Sequence, residues 1–222
     1  MSASTPPAGK TPIFLVAGQS NALGLGQYSP SPLPASIVWR GFQPPRGIGV
    51  SFAERYLERS GQAKVIIAQC SVGATSIYEW QPGGGLFEQC LGILGNIRSD
   101  TLNTHVAGFL FWQGEYDAHE QPTTPWSCLF KSIVRALRFK LDDNRLPVVF
   151  CQLSSNESFG QASVYPYWEF IKTEQARVDL PHAAMVQTDD ITDIADSVHV
   201  GADGLETIGH RMAETYFQLV NP

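Results

Sequence analysis

Four short clusters along the chain combine side chains that acyl chemistry can use. Gly18-Gln19-Ser20-Asn21 ends an apolar run with a hydroxyl, and Ser71-Val72-Gly73-Ala74-Thr75-Ser76-Ile77 offers a glycine N–H. Trp112-Gln113-Gly114-Glu115-Tyr116-Asp117 brings an amide and two carboxylates, and Asp196-Ser197-Val198-His199 sets a carboxylate three residues before an imidazole. A serine hydroxyl is a weak nucleophile at neutral pH until a neutral imidazole takes its proton, and a carboxylate then holds the tautomer and stabilises the imidazolium. Ser20, His199 and Asp196 are the candidates for those three roles. Gln113 can donate an uncharged N–H to an oxyanion, while Glu115 and Asp117 can orient neighbours or bind substrate hydroxyls. Each cluster also has a plainer reading: a serine after a strand caps a helix, and a glycine there makes a turn. Glu115, Asp117, His119 and Glu120 offer metal-ligand chemistry, but no second cluster completes a recognised ligand spacing.

Side chains so far apart in sequence meet only if the elements before them end side by side. The apolar run Ile13–Ala17 is too short for a helix, and further strand-like runs follow at Lys64–Gln69, His105–Trp112, Pro147–Leu153 and Ala183–Thr188. Helical periodicity fills most of the intervals, which predicts an α/β domain with a parallel sheet of about five strands covered on both faces. Ser51-Phe52-Ala53-Glu54 reads as a capping box opening one helix. Thr124 reads as the cap of a second, with Pro125 in its first turn and Trp126, Leu129, Phe130, Ile133, Val134 and Leu137 on one face. The last helix starts near Asp203 and buries Leu205, Ile208, Met212, Tyr216 and Leu219. The stretches from Gly24 to Gly49 and from Thr75 to Gly85 read as loops around a site.

The 222 residues, 43% of them hydrophobic, suffice for one domain with a sizeable core, expected over 11–222 behind a disordered arm of 1–10. Fifteen basic against 21 acidic residues give a formal charge of −6, which argues against binding nucleic acid by counterion release. No signal peptide and no apolar run of about 18 residues is present, so the expectation is a soluble protein without a membrane partner, cytoplasmic if the chain is complete. Cys70, Cys90, Cys128 and Cys151 are widely spaced and read as free thiols, mostly buried.

Together the clusters resemble the SGNH-hydrolase superfamily, and within it the sialate O-acetylesterase-like domains and the acetyl xylan esterases of carbohydrate esterase family six. The resemblance rests on Gly18-Gln19-Ser20-Asn21, on Gly73 with Thr75, Ile77 and Trp80, on Trp112-Gln113-Gly114-Glu115 with Asp117, and on Asp196-Ser197-Val198-His199. It implies a flavodoxin-like three-layer α/β/α sandwich and a serine esterase acting on an acetylated carbohydrate, with no metal and no organic cofactor. It makes Ser20 the nucleophile, His199 the base and Asp196 its partner, and builds the oxyanion hole from the Ser20 and Gly73 N–H groups and the Gln113 side chain. Gln19, Asn21, Glu115, Asp117 and Trp80 become supporting or substrate-binding residues. Ala22 and Ala74 stand where the family usually has methionine and often a second glycine, which bears on pocket shape.

Other classes fit less well. The nucleophile elbow of α/β-hydrolases lies well inside the chain and carries a second glycine where Ala22 stands. Gly24-Leu25-Gly26 lacks the third glycine of a dinucleotide fingerprint. A binding-only module on the same fold has no physical need to keep Asp196, His199 and Gln113 together. A lipid or thioester hydrolase would be expected to carry a longer apolar lid. Tyr28, Tyr78, Trp80 and Tyr116 suit a sugar.

Overall fold

The computed structural model describes residues 9–25, 32–154 and 163–221, so Tyr28 and nearly all of the expected N-terminal arm lie outside the described residues. Six strands form one parallel sheet: β1 (Thr11–Gly18), β2 (Ile37–Gly41), β3 (Val65–Gln69), β4 (Thr104–Trp112), β5 (Val148–Cys151) and β6 (Ala183–Val186). Their spatial order is β2-β3-β1-β4-β5-β6. Without β2 this is the flavodoxin-like order, with the topological switch between β1 and β4, where open α/β sheets bind ligands beyond their carboxyl ends. The parallel sheet expected with about five strands is borne out, with six. The additional strand, β2, falls in the stretch read as loop, because an edge strand is only half covered and its Ile37-Val38-Trp39-Arg40-Gly41 carries a weak apolar signal.

Helices α1 (Ser20–Leu23), α2 (Ile48–Ser60), α3 (Gly85–Asp100), α4 (Trp126–Leu141), α5 (Trp168–Ala176) and α6 (Ala202–Val220) cover the sheet. On one face Phe14 of β1 packs edge-on against Phe52 and Tyr56 of α2 and Tyr216 of α6, with ring centroids 4.6, 4.7 and 5.0 Å away. On the other, Phe111 of β4 lies 5.3 Å from Phe130 and 6.3 Å from Trp126 of α4. Fully burying one such side chain contributes about 1.5–3 kcal/mol, so these two clusters clamp the central strands from both sides. α2 and α6 approach closely because Gly209 has no side chain; a Cβ there would lie 1.9 Å from Ser51 Oγ.

Three local readings are corrected. α2 begins at Ile48, a turn before Ser51, whose buried hydroxyl instead donates to the carbonyls of Ile48 at 3.4 Å and Leu205 at 3.1 Å. α4 has Pro125 rather than Thr124 at its cap. Cys70 and Cys90 are not free thiols but a disulfide with Cα atoms 5.6 Å apart, because packing α3 against the end of β3 brings together cysteines 20 positions apart. Cys151 is a buried free thiol and Cys128 an exposed one. Among the described residues no helix is long and apolar enough to cross a membrane.

Candidate active site

Gly18 closes β1 opposite Trp112, the last residue of β4. Its φ of +128° and a Cβ position only 1.9 Å from the Trp112 carbonyl oxygen leave room for glycine alone. The chain turns there, the Gln19 N–H donates to Trp112 O at 3.0 Å, and Ser20 opens α1 with an N–H that has no intrahelical acceptor. The next strand over delivers Gly73, because Val72 N–H donates to Gly18 O at 2.9 Å. A Cβ on Gly73 would stand 3.8 Å from both Ser20 Cβ and Leu25 Cδ1, so Gly73 borders the serine directly. Beside it Ala74 holds φ +55°, a backbone state that suits glycine better than alanine.

Ser20, Gly73, Ala74, Gln19, Glu115 and His199 line one cleft of about 270 Å³, together with Leu25, Tyr116, His119, Tyr165 and Val198. His199 Nδ1 lies 2.7 Å from Asp196 Oδ2, while Asp196 Oδ1 accepts the Val198 and His199 N–H groups at 2.8 Å each. Desolvation works against the charge on Asp196, but the ring and the two N–H groups outweigh it and hold the carboxyl below its ordinary range. The fixed carboxylate selects the tautomer with the proton on Nδ1, leaving Nε2 as the basic nitrogen. Ser20 and the ring share the cleft without a mutual hydrogen bond, a looseness common before substrate binds.

Asn21 joins the two halves. Its amide donates to Glu115 Oε1 at 2.6 Å and to Val198 O at 3.1 Å, and its carbonyl accepts from Val200 N–H at 2.9 Å. The residue after Ser20 thus grips both neighbours of His199. Glu115 is 1% exposed, and its second oxygen, Oε2, has no partner among the described residues. Burial raises its carboxyl above the ordinary range despite the Asn21 bond and the proximity of His199.

Of the expected site residues, Gln113, Trp80 and Asp117 stand away from the cleft wall. Gln113 is fully buried, and Trp126 Nε1–H donates to its Oε1 at 2.9 Å, which fixes the amide orientation. Its Nε2 then faces Thr75 O at 3.0 Å, Gln19 Oε1 at 3.3 Å and the Asp117 carboxylate, so both amide protons are committed inside the protein. Gln19 lines the cleft instead: its Oε1 accepts from Gln113 Nε2 and from the Tyr116 N–H at 3.2 Å, which leaves its Nε2 donor uncommitted among the described residues. Trp80 is buried against Phe111, with its N–H on Thr75 Oγ1 at 3.1 Å, and is core rather than a sugar platform. Asp117 accepts from Ser76 Oγ at 2.5 Å and from Ile77 N–H at 2.9 Å, tying the third cluster to a 3₁₀ turn at Ile77–Trp80 that interrupts the expected loop. No three His, Cys, Asp or Glu side chains among the described residues are grouped to hold a metal.

Sequence reasoning missed Gln69 and Gln175. Gln69 Nε2 donates to Ala22 O at 3.2 Å while its Oε1 accepts from Ser71 N–H at 3.1 Å, linking the serine turn to the Gly73 cluster. Gln175 Nε2 donates to Gln113 O at 3.0 Å. Both are buried amides inside strand or helix patterns, and only an unexpected polar residue in an apolar context, as in Val65–Gln69, hints at such a role.

The family model of carbohydrate esterases described as sialic acid-specific acetylesterase matches residues 43–218, a span that begins after Ser20 and includes the other three clusters. Curated protein sequences give no match. Among solved structures, a protein from Arabidopsis thaliana superposes with a TM-score of 0.79 at 19% identity, covering 95% of this chain and 99% of that one. NanS gives 0.73 at 14% identity over 98% of each chain. A carbohydrate acetylesterase from Xanthomonas citri gives 0.72 at 18% identity, over 94% of this chain and 56% of that one. At such identities the structural likeness concerns the fold alone, an α/β/α sandwich. With the family model spanning most of its length, the chain belongs to the sialic acid-specific acetylesterase family of carbohydrate esterases.

Proposed function

We propose that the protein is a serine esterase that removes O-acetyl groups from a carbohydrate through an acyl-serine intermediate. The observation that carries this reading is the Asp196-oriented His199 ring sharing one small cleft with Ser20 and Gly73. Ser20 Oγ attacks the acetyl carbonyl while His199 Nε2 takes its proton. The developing oxyanion meets the Ser20 and Gly73 N–H groups and, in place of the buried Gln113 amide, the Nε2–H of Gln19. Collapse of the intermediate releases the sugar hydroxyl, to which His199 returns the proton. A water activated by the same nitrogen then frees acetate and regenerates Ser20. Asn21 holds the serine turn and the histidine loop in register, and Gln113 supports Gln19 from behind.

The test is covalent. Incubation with a fluorophosphonate should stop turnover of 4-nitrophenyl acetate and leave one phosphonyl group, located by peptide mass spectrometry on Ser20. Undiminished turnover, or modification elsewhere with Ser20 untouched, refutes the serine mechanism. Absence of turnover on any acetyl ester would instead favour a binding-only module.

A further inference from the structure

The two backbone donors assigned to the oxyanion, the Ser20 and Gly73 N–H groups, stand on separate turns that follow β1 and β3. A bond of 2.9 Å from the Val72 N–H to Gly18 O sets these turns side by side. It ends two residues before Ser20, at a glycine whose φ of +128° makes a bend. Beyond that bend α1 is a single turn, Ser20–Leu23, too short to hold its shape alone. The direction of the Ser20 N–H and hydroxyl thus depends on what grips α1 from outside.

Gln69, the last residue of β3, supplies that grip. Side chains alternate along a strand. Ile67 faces α2, with its Cγ2 3.2 Å from where a Cβ on Gly49 would stand, so Gln69 leaves the sheet on the same side. Cys70 leaves on the other side, where its disulfide ties it to α3. Gln69 is 2% exposed and is engaged at both ends of its amide. Its Nε2 donates to Ala22 O in α1 at 3.2 Å, while its Oε1 accepts the Ser71 N–H at 3.1 Å and the Ser71 hydroxyl at 2.8 Å. The two accepted donors fix which end of the amide is oxygen. One planar group therefore spans from the helix that carries Ser20 to the segment that carries Gly73, and it takes no part in the cleft wall.

Resting on the esterase reading above, we propose that Gln69 is a positioning residue for the oxyanion hole, setting the spacing between the Ser20 and Gly73 N–H groups without touching the substrate. A bound ester carbonyl gains little from two donors aimed at one point, whereas the tetrahedral oxyanion gains most from them. Loss of the tie should fall on kcat and leave KM nearly unchanged.

Gln69→Met removes both polar ends at nearly constant volume. On 4-nitrophenyl acetate, well below the melting temperature, kcat of the folded variant should fall about tenfold to 100-fold with KM within about twofold. Affinity for phenylboronic acid, which forms a tetrahedral adduct on an active serine, should fall by a similar factor. Gln69→Asn keeps both groups on a stem one methylene shorter and should recover part of the loss. Phe130→Leu is the stability control: it loosens the contact with Phe111 in the core on the opposite face of the sheet, and should lower the melting temperature while keeping kcat and boronate affinity.

Wild-type kcat and boronate affinity in folded Gln69→Met would overturn the proposal. So would a loss carried by KM alone, or an equal fall of kcat in Phe130→Leu. If Gln69→Met does not fold, Gln69→Asn carries the same comparison, and failure of both to fold would assign Gln69 to stability and overturn the positioning role. Wild-type protein with neither turnover nor boronate binding counts against the esterase reading, whereas wild-type turnover that survives in Gln69→Met counts against Gln69 alone.

Discussion

The Ser20 side of the cleft is built into the sheet, whereas the Asp196–His199 side hangs from a loop. Ser20, Gly73 and Gln19 follow the adjacent strands β3 and β1, and ladder bonds and buried amides fix their turns on several sides. Asp196 has a side chain 54% exposed, and its segment is tied down by the isolated bridge between Ile194 and Val200, by Asp193 accepting the Gly201 and Gly204 N–H groups, and by Asn21. The difference teaches where precision is inherited from the fold and where it depends on single side chains. In the proposed mechanism the oxyanion donors must be preorganised to a fraction of an ångström, which placement at the sheet edge favours. The proposed base, His199, is positioned by a handful of bonds, so it is the half that one distant substitution can misplace.

The largest effect should come from Ser20→Ala, with a loss of about a thousandfold or more in kcat on 4-nitrophenyl acetate and an unchanged circular dichroism spectrum. Activity close to wild type in the folded variant would remove the nucleophile assignment and the comparison with it.

The next pair separates the two glutamines on the sheet side. Gln19→Ala should lower kcat about 100-fold with little change in KM, because its donor acts on charge that develops only in the transition state. Gln113→Ala should chiefly lower the melting temperature, since it strips partners from Trp126, Thr75, Asp117 and Gln19 in the interior. The reverse pattern would return the oxyanion role to Gln113.

Asn21→Ala tests the loop side. Removing the grip on Val198 and Val200 should cost about tenfold to 100-fold in kcat while Ser20 remains open to the fluorophosphonate, though more slowly. Full kcat in this variant would show that the loop holds His199 without help.

The smallest effect concerns pH. Burial raises the Glu115 carboxyl, so the folded state binds its proton more tightly than the unfolded state does. That contribution to stability is fully present below the ordinary carboxyl value of 4.5 and is lost as pH rises through the folded value. Glu115→Gln cannot ionise, and its melting temperature relative to wild type should climb as pH is raised from 4 to 7. Asp196 runs the other way: its lowered carboxyl gives stability above the ordinary value of 3.8 that is lost as pH falls through the folded value. Parallel melting curves for Glu115→Gln and wild type across that range would contradict the burial effect.

The sheet was legible where strands are buried on both faces, because Ile13–Ala17 and the Val65–Gln69 run have no other economical burial. β2 was not, since an edge strand flanked by Pro34 and Pro44 carries half that signal. Ser20 and Gly73 could be singled out from residue type and from their places after apolar runs, and Asp196 and His199 from their three-residue spacing just before the last helix; the structure brings all but Asp196 onto the cleft wall, with Asp196 behind the ring. The roles of the amides were beyond the sequence. Gln19 and Gln113 have the same chemistry, and which one offers a free N–H depends on Trp126 and Asp117 occupying the other from elements remote in the chain. Trp80 and the Cys70–Cys90 pair follow the same rule, as core side chain and disulfide decided by packing around the 3₁₀ turn and α3. By itself the sequence determined which residue types stand at the ends of strands, because strand periodicity is a local property. Only the tertiary structure decided which polar atoms remain uncommitted there, because every buried donor must be matched by a partner that the fold brings from elsewhere.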